Sequence, residues 1–154
     1  MPWRQVLYQK ALIAYLDSLE DRCKVRTRKS LLKELRIISE FLKRDFSKRQ
    51  QNILIFVYTL SFPYAKESAF IPNMQDFELC GVSKTKIKEE IDKLVKMNVL
   101  DWDKPNNTFT IKDPDMWEVP HHSSYSEYKA RELFLANLKH ADIELDEIIK
   151  RLEQ

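Results

Sequence analysis

Between Trp3 and Phe62 the chain carries neither glycine nor proline, and Gly81 is its only glycine. A backbone free of both breakers reads as helix wherever the apolar period allows it. The same scarcity argues against an all-β fold with many tight turns and against a glycine-cradled phosphate loop. Tyr8, Leu12, Tyr15 and Leu19 step along one helical face and predict a helix to about Glu20. Leu31, Leu35, Ile38 and Leu42, widened by Leu32 and Phe41, predict a second, with Ser30 as its expected N-cap. Periodicity does not settle whether residues 22–29 are an extended connector or prolong either helix.

Punctuation then becomes denser. Ser47-Lys48-Arg49-Gln50 fits a capping box, in which Ser47 bonds the N3 amide and Gln50 reaches back. The helix it opens turns Ile53, Phe56, Val57 and Leu60 inward and stops at Pro63. Phe70-Ile71 suits a short strand, and Asn73 is the expected cap of a short helix ending at Cys80. Gly81 then falls where a helix end needs a left-handed residue. Ser83 is the expected cap of the next helix, with Ile87, Ile91, Leu94 and Val95 as its core face. Val99–Asp103 and Thr108–Ile111 alternate around Lys104-Pro105-Asn106-Asn107 and predict a β-hairpin. Residues 113–122 hold two prolines and no period, which reads as a linker. From Ser123 onward one long helix is expected, with Phe134, Leu138, Ala141, Leu145, Ile148 and Leu152 as a heptad seam.

Charge is distributed unevenly. Residues 1–49 carry net +7, residues 50–112 net 0 and residues 113–154 net −5, within an overall +2. A basic end of this kind suits a polyanion. At 154 residues the chain is long enough for a core without disulfides or a metal. Cys23 and Cys80 have no metal-type spacing, and His121-His122 and His140 lack partners at ligand spacing. No cofactor and no enzymatic activity are expected. The N-terminus lacks an apolar leader region and no apolar stretch approaches a membrane span, so a cytoplasmic protein without a membrane partner is expected.

The order helix, strand, short helix, Gly81 turn, helix, hairpin is that of a winged helix-turn-helix, in which the helix after the turn enters the major groove. The expected fold is therefore mainly α with a small β-hairpin. It divides into a basic helical region 1–46, a winged helix 47–112, a linker 113–122 and a C-terminal helix 123–154. At 100° per residue Thr85, Lys86, Glu89, Lys93 and Lys96 point away from the core face. The helix start supplies the candidate DNA contacts Ser83, Lys84, Thr85, Lys86, Lys88 and Glu89. Lysines suit guanine or phosphate oxygens, a threonine methyl suits thymine, and a carboxylate can accept from cytosine N4. In the hairpin turn Lys104, Asn106 and Asn107 are candidates for phosphate. Because residues 50–112 are neutral, the bulk of phosphate affinity is assigned to Arg22, Lys24, Arg26, Arg28 and Lys29, with Lys43, Arg44, Lys48 and Arg49 adding to it.

Asp45-Phe46-Ser47, Phe70-Ile71-Pro72, Gly81-Val82-Ser83-Lys84-Thr85-Lys86, Ile91-x-x-Leu94 and Met97-Asn98-Val99-Leu100 resemble the N-terminal domain of O-type phage replisome organisers. They also resemble related winged helices of primosome and plasmid initiator proteins. The resemblance spans roughly residues 45–112, and Met97-Asn98-Val99 stands where many relatives have a glycine. It implies sequence-specific binding of double-stranded DNA at a phage or plasmid origin, with the replicative helicase or its loader as partner. A transcriptional regulator and a winged-helix protein-interaction module are the alternatives. A homodimer is expected through Phe134, Leu138, Leu145, Ile148 and Leu152, with intramolecular docking onto the Tyr8–Leu19 helix as the other option.

Overall fold

The computed structural model describes the backbone of residues 2–23 and 27–154, and the side chains of residues 6–19 and 27–154. Among the described residues six α-helices run in the order α1 (Pro2–Cys23), α2 (Arg28–Lys43), α3 (Lys48–Thr59), α4 (Lys84–Lys96), α5 (Glu127–His140) and α6 (Leu145–Leu152). Three strands, β1 (Ser68–Phe70), β2 (Leu100–Asp103) and β3 (Thr108–Ile111), form an antiparallel sheet in the order β1-β3-β2. Met1–Pro120 and His121–Gln154 are separate compact units. The fold is thus mainly α with a small sheet, in the element order of a winged helix.

Local chemistry sets the element ends. The Ser47 box forms in full, with Gln50 N donating to Ser47 Oγ at 3.1 Å and Ser47 N donating to Gln50 Oε1 at 3.0 Å. The Asn73 side chain accepts from Gln75 N at 3.0 Å and opens a 3-10 turn, Met74–Cys80. Gly81 ends that turn at φ +88. A Cβ built on it would meet only Asn52 Nδ2, at 3.9 Å, so what calls for glycine here is the left-handed backbone and not lack of space. Register pairs Trp102 with Phe109 across β2 and β3, and Ser68 with Thr110 across β1 and β3.

The core lies between α3, the Met74–Cys80 turn, α4 and the sheet. Phe77 meets Phe56 edge-on at 5.4 Å and Phe109 at 5.2 Å, and Trp102 stacks on Phe109 at 5.5 Å. Edge-to-face and offset pairs of this kind add to burial.

Several expectations are corrected. The cap of α2 is Thr27, whose Oγ1 accepts from Ser30 N at 3.1 Å, so Arg28 and Lys29 occupy the first helical turn. The side of α2 that faces inward carries the fully buried Ile37, with Phe41 packed against the core. On that side Glu34 accepts from the Tyr58 hydroxyl and Arg36 pairs with Asp115 at 2.8 Å. Leu31, Leu35, Ile38 and Leu42 therefore point outward, between 39% and 67% exposed. In α1 only Leu19 of the expected stripe is buried; Tyr8, Leu12 and Tyr15 are exposed, although Tyr15 bonds the Tyr64 hydroxyl. On α4 the buried set is Ile87, Glu90, Ile91 and Leu94, and Val95 lies at the exposed margin.

Of the stretch expected as a linker, 113–122, residues 113–120 run as a strap on their own compact unit. Trp117 is buried, stacked on Phe41 at 5.8 Å and edge-on to Phe46 at 5.6 Å, and its indole N–H donates to Lys112 O at 2.9 Å. Glu118 N donates to Met97 O at 2.8 Å and Arg44 Nη1 to Val119 O at 2.8 Å. An indole and a buried valine anchor a segment that shows no period of its own.

The single C-terminal helix is two. Asp142 sits at φ 57, Ile143 N donates to Leu138 O at 2.9 Å, and Asp142 N donates to Lys139 O at 3.2 Å. This is a Schellman stop. It breaks the seam between Leu138 and Leu145, and Phe134, Leu138, Leu145, Ile148 and Leu152 do not share one helix.

Candidate nucleic-acid interface

Arg22, Lys24 and Arg26 lie outside what is described: Lys24 and Arg26 entirely, Arg22 in its side chain. The candidate residues that can be described lie at α4, the hairpin turn, the two ends of α2 and the start of α3. The αL step at Gly81 turns the chain out of the preceding turn and into α4. Ser83 has extended backbone angles (φ −66, ψ 145), but its hydroxyl makes no capping bond, unlike the hydroxyls of Thr27 and Ser47. A hydroxyl at a helix N-terminus in this state could donate to an incoming oxygen.

The outward face of α4 sorts its charges. Glu89 lies between Lys93 at 3.4 Å and Lys86 at 3.4 Å, and these two ammonium groups hold its carboxyl below the usual carboxylate range. Glu89 and Lys86 are thus already partnered within the helix, which weakens Glu89 as an acceptor for cytosine. Lys84 and Lys88 are exposed and make no ion pair among the described residues. Thr85 is exposed beside them. Glu90 is buried, with Oε1 3.5 Å from Lys93 Nζ and Oε2 without a hydrogen-bond partner among the described residues.

Lys84 and Lys88 also border an apolar cleft of about 390 Å³ lined by Met74, Gln75, Ile87 and Trp102. The cleft joins the start of α4 to the wing, β2 and β3 with the turn between them. Lys104 Nζ lies 4.8 Å above the Trp102 ring, a cation–π contact that holds this ammonium on the wing. Asn106 Nδ2 donates to Asp103 Oδ2 at 2.8 Å, so its amide serves the turn. Asn107, at φ 53, completes that turn, and its carbonyl accepts from Ile71 N at 2.9 Å. The sequence pattern alone does not mark Trp102, Met74 and Gln75 as site residues. The signal that could have found Trp102 is the i, i+2 spacing to Lys104, which puts both on one face of a strand.

Arg28 and Lys29 are exposed in the first turn of α2, and Lys48 and Arg49 in the first turn of α3. Arg44 is spent internally on Glu40, at 2.6 Å, and on Val119. No group of His, Cys, Asp and Glu among the described residues could hold a metal, and no helix among them is long and apolar enough to cross a membrane.

A family model described as bacteriophage replication protein O matches residues 25–117. No curated protein and no solved structure matches the chain. The matched stretch takes in α2, α3, α4, the sheet and the strap as far as Trp117.

Proposed function

The chain belongs to the bacteriophage replication protein O family, and from that premise we propose that it binds double-stranded DNA sequence-specifically at a phage origin as a non-catalytic initiator. The observation that carries this reading is the pair Lys84 and Lys88, the α4 cations next to the Gly81 turn that make no ion pair among the described residues. Lys104 on the wing, together with Arg28, Lys29, Lys48 and Arg49, supplies phosphate contacts. Footprinting across a phage-type origin tests the reading. Protection should cover each of its iterated repeats. Protection confined to one palindrome beside a promoter would make the chain a transcriptional regulator, and no protection of any duplex would leave a protein-interaction module. The helicase or its loader is the further partner that the family membership supports.

The same reading includes a homodimer, since paired half-sites suit two-fold symmetric proteins. The broken C-terminal seam moves its best support to α2, where Leu31, Leu35, Ile38 and Leu42 keep the 4, 3, 4 spacing on an exposed face. Light scattering should find a dimer both for the intact chain and for one ending at His122, and a monomer for Leu35→Glu/Leu42→Glu. A monomeric truncated form would return the interface to residues 123–154, and a monomeric intact chain would remove the dimer.

A further inference from the structure

A second cleft, of about 350 Å³, lies between the N-terminal half of α2, the approach to β1 and Pro114. Register fixes its place. Phe70 pairs with Thr108 next to the hairpin turn and Ser68 with Thr110 farther from it. Lys66 and Glu67, which precede Ser68, and Asp113 and Pro114, which follow β3, therefore lie toward the end of the sheet opposite the turn. This cleft is distinct from the α4–wing surface.

Its charges are unequal in freedom. Four cations line it, Lys29, Lys33, Arg36 and Lys66, against the carboxylates of Glu67 and Asp113. Arg36 is occupied by Asp115 at 2.8 Å and Asp113 at 3.4 Å. Lys33 is only loosely held, 3.7 Å from a Glu67 carboxylate that is itself largely exposed. Lys29 and Lys66 make no ion pair among the described residues. The rest of the lining is apolar at Leu32, Phe62, Ala65 and Pro114 and carries hydroxyls at Thr27 and Ser30. A concave site that offers ammonium groups together with apolar surface matches a phosphate joined to a planar base. A B-form duplex keeps its bases stacked inside and could offer only phosphate here, leaving the apolar wall unused.

We propose that this cleft is a nucleotide site. The phosphate of a single-stranded nucleic acid or a free nucleotide lies on Lys29, Lys33 and Lys66, and its base lies against Leu32, Phe62 and Pro114. Of these lysines only Lys29 is also among the proposed duplex phosphate contacts; Lys33 and Lys66 are not, so changing those two lets the two readings fail separately.

The test uses the full chain with a labelled dT dodecamer, the same strand made abasic, free thymidine monophosphate as competitor, and a specific duplex as control. Lys33→Gln/Lys66→Gln, checked for native circular dichroism, should weaken the dT dodecamer at least tenfold and leave the duplex affinity unchanged. The abasic strand should bind several-fold more weakly than dT. Competition by the free nucleotide would identify it as a ligand in its own right. Its failure to compete, with strand binding retained, would identify the polymer. An unaltered dodecamer affinity in the double variant, equal binding of the abasic strand, or a parallel loss of duplex affinity would each overturn the site.

Discussion

Replacing Trp117 with alanine should lower the unfolding free energy by about 3–5 kcal/mol, the usual cost of truncating a buried aromatic side chain. The indole is 5% exposed, and its removal opens a cavity against Phe41 and Phe46. It also leaves Lys112 O without the indole donor. The residue belongs to a stretch that reads as linker, and in a linker the same change would stay within about 0.5 kcal/mol. Tyr128→Ala is the control, because that ring is 69% exposed and should show only such a small effect. Urea unfolding followed by circular dichroism measures both without relying on tryptophan emission, which Trp117→Ala itself alters.

Lys84→Ala/Lys88→Ala should cost specific duplex binding several kcal/mol, since each good base contact is worth roughly 1–3. Among the described residues neither ammonium is shared with a carboxylate, so neither must break such a pair before it meets DNA. Lys86→Ala should cost less, because Lys86 already serves Glu89. Arg28→Gln/Lys29→Gln provides the contrast. Phosphate contacts carry no sequence information. Their loss should weaken all duplexes alike and flatten the slope of log affinity against log salt by about 0.9 per contact. Titrations at several salt concentrations with specific and scrambled duplexes separate the two patterns. A loss shared equally by both duplexes in Lys84→Ala/Lys88→Ala would make those lysines backbone contacts.

The features legible in the sequence were those set by local chemistry. The Ser47–Gln50 box, the left-handed Gly81 and the hairpin around residues 104–107 each follow from a few adjacent residues, and together they order the winged helix. What escaped depends on partners far along the chain. Leu31, Leu35, Ile38 and Leu42 have a clean helical period, yet Ile37 is the residue that α2 buries, because Arg36 and Glu34 find Asp115 and Tyr58 on that side. Trp117 and Val119 lack any period; Phe41 and Phe46 hold the indole and Arg44 holds the Val119 carbonyl, each more than seventy positions away. The stop at Asp142 uses aspartate where glycine would announce a left-handed residue, so an unbroken heptad pattern concealed it.

The candidate site divides in the same way. The position of α4 after the turn was readable, and so was the outward set Thr85, Lys86, Glu89, Lys93. The i, i+3 and i, i+4 pairs that occupy Lys86, Glu89 and Lys93 follow from spacing alone. The cleft under Lys84 and Lys88 was not readable, because it requires Met74 and Trp102 from two other elements to meet Ile87.

Selection of bound sequences from random duplex DNA, run side by side with the unaltered chain and with Lys84→Ala/Lys88→Ala, tests the central claim that α4 reads the bases. The unaltered chain should enrich a defined motif, and the double variant should lose preference at the positions those lysines touch while keeping weak, salt-sensitive binding. Recovery of the same motif at the same strength by both proteins would contradict the assignment of α4 as the recognition helix.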